Sequence, residues 1–259
     1  MKPITLITGA SSGIGAELAR VFAAHGHQLV LVARREDLLT ALADEIAGSG
    51  RPRPVVLAAD LTQSDAVLRL AGELSARDLE PAIVVNNAGF GLTGRAVELD
   101  RDEQLAMIDL NVRVLTELSL AYVDCLARHR GGILNVASVA SFVPGPGMAV
   151  YYASKAYVLS FSEALHVELA GRGVRVTALC PGPVATGFQA RAGMEPAESG
   201  QGSILAIPAS RVAEIGYHGF MRGRRVVIAG LGNRLAVAVL RLLPHWLLLP
   251  MIANRSRPV

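Results

Sequence analysis

The chain has 259 residues, 51% hydrophobic and 18% charged, with a formal net charge of +3. That composition excludes a disordered chain, and its scattered basic residues argue against a nucleic-acid footprint, which needs a concentrated stripe. The two cysteines, Cys125 and Cys180, are too few for a disulfide scaffold and lack metal-ligand spacing, so no metal site is expected and a reducing, cytoplasmic compartment is the simplest fit.

Residues 4–8 read as a strand, and the glycine-rich stretch after them has the wrong composition for the apolar core of a secretory signal. An apolar-periodic helix then runs to about His25. Strand 28–33 leads into helix 35–47, and strand 55–58 into helix 64–76. Strand 83–85 precedes a long helix over 102–128, strand 133–136 precedes a helix over 151–170, and strand 175–179 follows. After a looser stretch, 211–220 reads as helix and 225–229 as a seventh strand. Strands that are apolar throughout, separated by helices, predict a parallel sheet covered on both faces. The fold class is therefore α/β, with one doubly wound domain over 1–230 and an apolar C-terminal extension over 231–259.

Thr8-Gly9-Ala10-Ser11-Ser12-Gly13-Ile14-Gly15 lies where the first strand turns into the first helix. Glycines there allow a tight turn and let backbone N–H groups approach a pyrophosphate at the positive end of a helix. Alone the segment is equally served by a turn that needs positive φ and nothing more; its place after the first strand of an α/β chain favours a nucleotide. At the end of the second strand such folds read the adenosine ribose, an acidic residue accepting from a free 2′-hydroxyl and an arginine pairing with a 2′-phosphate. This chain offers Arg34 and Arg35 and no acid at the strand end. NADP(H) is favoured over NAD(H), with Arg34 best placed and Arg35 assisting or simply starting the next helix.

Tyr151 and Lys155 stand at i and i+4, one face of a helix. A free tyrosine has a pKa near ~10, too high for easy proton exchange at neutral pH. A lysine ammonium beside it, with an oxidised nicotinamide nearby, favours the phenolate and lowers that value. Ser138 follows the fifth strand, at the carboxyl edge of the sheet where ligands bind. Only two lysines occur, Lys2 and Lys155, in a chain that otherwise uses arginine, so Lys155 stands where a compact, pKa-sensitive ammonium is wanted.

Over roughly residues 4–230 the chain resembles the classical short-chain dehydrogenases/reductases. The resemblance is carried by the T-G-x-x-x-G-x-G of Thr8–Gly15, Asp60, Asn86-Asn87-Ala88-Gly89, Asn111, Ser138, Tyr151-x-x-x-Lys155 and Pro181-Gly182, in order and at ordinary intervals. It implies a Rossmann-type domain with a seven-stranded parallel sheet. It also implies that Asp60 and Leu61 frame the adenine, and that Asn87, with Ala88 and Gly89, steadies the central strands beside the adenosine. Asn111 would hold a water against Lys155 and feed a proton relay, and Lys155 would also bind the nicotinamide ribose. Val184 and Thr186, after Pro181-Gly182-Pro183, would anchor the carboxamide. Tyr152 competes with Tyr151 for the acid role; the family spacing, four before the lysine and thirteen after the serine, selects Tyr151. The reaction implied is hydride transfer between NADPH and a carbonyl carbon, with Tyr151 giving the proton and Ser138 holding the oxygen.

Substrate selection is expected from 90–95, 139–148 and 188–207. The first two are largely apolar (Phe90, Leu92, Phe142, Val143, Met148), and only Arg191, Glu195 and Glu198 are charged in the third. A neutral or hydrophobic ketone, aldehyde or secondary alcohol is expected. The run over 235–253 is interrupted by Arg241, Pro244, His245 and Pro250, against the ~20 uninterrupted apolar residues a membrane span needs. It is read as a subunit contact or pocket cap, or as a membrane-surface contact with Arg234, Arg241, Arg255 and Arg257 near lipid head groups. The resemblance implies a homodimer or homotetramer through helices 102–128 and 151–170. Two other function classes compete. A nucleotide-sugar epimerase or dehydratase of the extended branch is disfavoured by the glycine spacing and chain length. A non-catalytic NADP sensor or scaffold typically lacks the serine, tyrosine or lysine, and all three are present here.

Overall fold

Seven strands, β1 (Lys2–Thr8), β2 (Leu29–Ala33), β3 (Val55–Ala58), β4 (Leu79–Asn86), β5 (Gly132–Val136), β6 (Arg175–Cys180) and β7 (Val226–Ile228), form one parallel sheet in the order β3-β2-β1-β4-β5-β6-β7. The structure is a computed structural model that describes residues 1–194 and 205–255, excepting the side chains of His245, Met251, Asn254 and Arg255. Helices α1 (Gly13–Ala24), α2 (Glu36–Gly48) and α9 (Ala209–Met221) cover one face, packing on Ile7, Leu31, Val85, Leu134 and Leu179. On the other face α3 (Ala66–Ala76), α5 (Leu115–Ala121), α6 (Val123–Arg128) and α7 (Ala149–Ala170) pack on Leu6, Val30, Val84, Ile133 and Val176, and a short α8 (Phe188–Ala192) follows β6. Successive strand residues thus point into opposite cores, which is why the strands are apolar without alternation. β2 and β4 flank β1, so the winding reverses beside it. The crevice at the carboxyl ends of β1 and β4 is where such sheets take ligands.

Three expectations are corrected by the structure. The stretch 102–128 is not one helix: α4 (Arg101–Ile108) passes into a π-helical turn over Asp109–Val114, α5 follows, and Tyr122 separates α5 from α6. The extra residue of a π turn is a local accommodation, and this turn carries Asn111, whose carboxamide bonds the Phe90 backbone in both directions. β4 begins at Leu79, four residues before the expected strand, and contains Pro81. The proline has no N–H to give, and the β1–β4 register slips there, Ile4 facing Pro81 while Thr5 faces Ile83. Finally, β7 (Val226–Ile228) is shorter than the expected 225–229. Helix α10 (Leu231–Leu240) starts at once, with Asn233 and Val237 buried. After a turn at Arg241–Leu242, Pro244 precedes α11 (His245–Arg255), its carbonyl accepting from the Leu247 and Leu248 N–H groups. Among the described residues no helix is long and apolar enough to cross a membrane.

Candidate active site

The turn from β1 into α1 is built by close approach. Gly13 has φ 57°, in the left-handed region that favours glycine, and a Cβ on Gly15 would collide with the Gly9 carbonyl oxygen. Asn87 fixes the turn from the β4 side, its Nδ2 donating to the carbonyls of Thr8 (2.9 Å) and Gly9 (3.1 Å). Thr8 Oγ1 in return accepts from the backbone N–H groups of Asn87 and Ala88, both at 3.1 Å. Ser12 caps α1 by position, yet its hydroxyl does not accept from the first helical turn. Together with Ser11 it accepts from the Arg35 guanidinium, at 2.9 and 3.0 Å. The first-turn amides therefore face outward with no side-chain acceptor, and Ile14 packs its side chain into the core behind them. A glycine-walled turn and helical N–H groups without a side-chain acceptor fit the pyrophosphate of a dinucleotide.

The second strand end is more asymmetric than the sequence suggests. Both arginines are exposed; Arg35 reaches across to the glycine-rich turn, whereas Arg34 acts on Asp60 by charge. Asp60 Oδ1 accepts from the Thr62 amide (3.0 Å) and hydroxyl (2.7 Å). Burial alone would push its carboxyl up, but these bonds and Arg34 hold it below the usual range. Leu61 beside it is buried.

Asn111, Ser138, Tyr151 and Lys155 converge beside the same crevice. Lys155, 6% exposed, donates from Nζ to the Val136 carbonyl at the end of β5 (2.9 Å), and its Nζ stands 5.9 Å from the centre of the Tyr151 ring. Asn111 Nδ2 donates to Ser154 Oγ (3.0 Å), and Ser154 donates to the Tyr151 carbonyl (2.7 Å), so the π turn is tied to the helix that carries tyrosine and lysine. Gly89 packs between Asn111 and Lys155. Ser138 is half-buried, its Oγ accepting from the Ala140 N–H at 3.1 Å. Burial pushes the Tyr151 phenol up to about 12, with a hydrogen bond to Ser138 pulling the other way. Burial brings the Lys155 ammonium down to about 8. Both groups are thus shifted toward their neutral forms, and the tyrosine of the chain alone is a held proton rather than a standing phenolate. The two tyrosines are separated by their neighbours. Tyr151 packs against Gly91 and Phe188, at 5.2 Å between ring centres, while the Tyr152 ring lies on Gly145.

The third stretch closes on the first. A Cβ on Gly13 would stand 3.0 Å from Thr186 Cγ2, and Val184 is buried. Pro181 accepts from the Val139 N–H (2.9 Å), holding the strand end next to Ser138. These contacts bring Asn87 onto the glycine-rich turn, Thr186 against Gly13, and Asn111 and Lys155 to either side of Gly89, while Arg34 acts on Asp60 by charge.

A family profile described as short chain dehydrogenase matches residues 3–196. This chain belongs to the short-chain dehydrogenase family. It is similar to sulfoacetaldehyde reductase 2 of Chromohalobacter salexigens, 40% identical over 191 residues, which covers 73% of this chain and 75% of that one. It is similar in structure to a short-chain dehydrogenase from Sphingobium yanoikuyae in complex with NADPH, with TM-score 0.81, 34% identity and 92% of each chain covered. A bulky-bulky ketone specific alcohol dehydrogenase from Comamonas testosteroni is similar at TM-score 0.76 and 32% identity, again over 92% of each chain.

In this short-chain dehydrogenase the stretches after β4, β5 and β6 are bonded to one another beside Tyr151. The Thr93 N–H donates to the Ala192 carbonyl and the Gly94 N–H to the Gly147 carbonyl, both at 2.8 Å. Arg191 stacks on Phe90, 4.6 Å from the ring centre, and pairs with Glu103 at 2.6 Å; Arg95 pairs with Glu98 at 2.8 Å. Glu195, Glu198 and Arg257 lie outside the described residues, as does the side chain of Arg255. Four positioning residues escaped the sequence reading. Ser154 links Asn111 to Tyr151, and Ser141 donates to the Lys155 carbonyl at 2.7 Å. Gln189 accepts from the Thr186 N–H (3.1 Å) and donates to the Val184 carbonyl. Asn233 packs against Gly182 and donates to the carbonyls of Leu205 (3.0 Å) and Ala229 (2.8 Å). A polar residue inside the apolar 231–240 run was the available signal for Asn233. Ser154 could have been sought from its place one residue before Lys155.

Proposed function

We propose that this chain is an NADP(H)-dependent oxidoreductase that interconverts a carbonyl and a secondary alcohol on a neutral or hydrophobic substrate. The observation that carries the reading is the Tyr151 phenol, raised by burial and facing Gly91 and Phe188 beside Ser138, with Lys155 one turn away. Gly9, Gly13, Gly15 and the α1 amides would hold the pyrophosphate, Arg35 with Arg34 the 2′-phosphate, Asp60 and Leu61 the adenine, and Val184 and Thr186 the carboxamide. The nicotinamide supplies or takes up the hydride. Tyr151 holds the proton that a carbonyl oxygen needs, and at neutral pH a phenol near 12 keeps it until that oxygen becomes basic. Ser138 orients the same oxygen by a hydrogen bond. Lys155, with a water held at Asn111, returns the proton to Tyr151. In the alcohol direction the same groups run in reverse.

Substrate polarity follows from the charges around the cleft. Among the described residues the cations on its loops, Arg95 and Arg191, are paired with Glu98 and Glu103, leaving neither free to clamp an acid. That supports an apolar carbonyl, such as a ketone, over a sulfonated aldehyde; the Comamonas testosteroni relative is specific for bulky-bulky ketones. Exposed Leu105, Leu120, Tyr157 and Val167 on the helices between 101 and 170 support a homodimer or homotetramer through that face. The test is a panel of apolar and acidic carbonyls run with NADPH and NADH side by side. Turnover of apolar ketones with NADPH is expected at a kcat/KM at least about tenfold above that with NADH. Turnover of short acids alone would contradict the substrate reading, and NADPH binding with no turnover anywhere would favour a sensor.

A further inference from the structure

On the side of the sheet formed by α9, β7 and α10 lies a groove of about 770 Å³ walled by Arg211, Arg222, Arg224, Arg225, Arg234 and Arg241. Glu163 is the one acid in its wall. It is taken by Arg225 at 3.0 Å, and Arg211 pairs with Glu214 at 2.7 Å. Among the described residues no carboxylate pairs with Arg222, Arg224, Arg234 or Arg241. Four uncompensated guanidinium groups around one concavity make a strongly positive site with no role in the proposed reaction. A second depression of about 410 Å³ shares Arg211 and Arg234 and ends at Leu231.

Leu231 begins an exposed apolar face. It is 80% exposed, and Leu235, Val239 and Leu242 follow at helical spacing along and just beyond α10, with Leu242 at 84%. On α11, Trp246 is 72% exposed and Leu249 is exposed beside it. The opposite side of α10 is docked through Asn233 and Val237, so this face is presented outward by a helix that is itself fixed. Arg234 and Arg241 lie on its flank, between the apolar face and the groove.

We propose that α10, α11 and the arginine groove form a docking surface for an anionic lipid bilayer. In this arrangement head-group phosphates lie in the groove and the apolar face enters the acyl boundary. Adjacent cationic and apolar surfaces on a short amphipathic helix pair are the complement of that interface, and an exposed tryptophan is suited to its depth. A second copy of the chain fits less well, because a two-fold contact centred here would bring the uncompensated arginines against their own copies. Ser141 and Phe142, just after Ser138, belong to the groove wall, and Arg241 stacks over Phe142 at 5.8 Å. The bilayer would thus adjoin the substrate loops, where a membrane-dissolved apolar carbonyl could be met.

The test is flotation of the full-length protein with phosphatidylglycerol-containing vesicles and with pure phosphatidylcholine vesicles, at low and high salt. Binding is expected to the anionic vesicles alone and to weaken with salt. It should fall at least about tenfold in Arg222→Glu/Arg234→Glu and in Leu235→Ser/Leu242→Ser. All substituted positions are exposed, and circular dichroism of each variant verifies its fold. Equal flotation of wild type and both variants, or none of the wild type, overturns the proposal. So does a dimer that dissociates in the leucine variant without loss of lipid binding. Competition of vesicle binding by millimolar inorganic phosphate would assign the groove to a free anion and also overturn it. The readout is independent of turnover, so failure of the reductase reading leaves this test intact.

Discussion

Residue by residue, burial decides the protonation states of the site. Tyr151 and Lys155 are both driven toward neutrality, the phenol to about 12 and the amine to about 8. The sequence places the pair on one helical face, but it does not give the desolvation around Tyr151, where Gly91 and Phe188 close from other segments beside Met148 at the start of the same helix. The arginines teach the same lesson. Both follow β2, and only the side-chain direction makes Arg35 the partner of Ser11 and Ser12. A charge-assisted bond to a phosphate contributes about 1.5–3 kcal/mol, so Arg35→Ala should weaken NADPH about tenfold or more while leaving NADH nearly unchanged. Arg34→Ala should cost less. Titration of each variant with both cofactors checks this, and equal losses for NADPH and NADH would remove Arg35 from the 2′-phosphate site.

Among the elements, the strands and most helices were legible because apolar runs and 3.6-residue periodicity report burial directly. The π turn at Asp109–Val114 was not, since one inserted residue barely disturbs that periodicity; within it Asn111 is bonded to the Phe90 backbone in both directions. The first half of β4 was hidden by Pro81 and by a buried acid. Glu80 accepts from Arg128 and His129 at the end of α6, and His129 first, then Arg128, hold its carboxyl at about 2 against 4.5 for a free glutamate. Because its value in the folded state is depressed, Glu80 stabilises fully above pH 4.5, and that contribution is lost as pH falls through about 2. Glu80→Gln should therefore lower Tm at neutral pH, by roughly 2–4 °C for each kcal/mol lost, and flatten the acid limb. Thermal melts across pH read this directly; superimposable acid limbs for wild type and variant would refute it.

At the scale of the molecule, the winding reversal beside β1 gathers four strand ends into one crevice, and the chain sets its glycine turn, Asn87, Ser138 and Pro181 there. That convergence was legible because each motif follows an apolar strand. The tail was legible only as apolar; that α10 docks through Asn233 onto Gly182 depends on contacts between segments some fifty residues apart. The central claim is that Tyr151 passes the proton in an NADP(H)-dependent carbonyl reaction. Its most direct measurement is NADPH affinity and single-turnover reduction of an apolar ketone in wild type, Tyr151→Phe and Tyr152→Phe. NADPH should bind all three alike, with reduction at least about a hundredfold slower in Tyr151→Phe and largely kept in Tyr152→Phe. Equal reduction rates in the two variants would contradict the assignment.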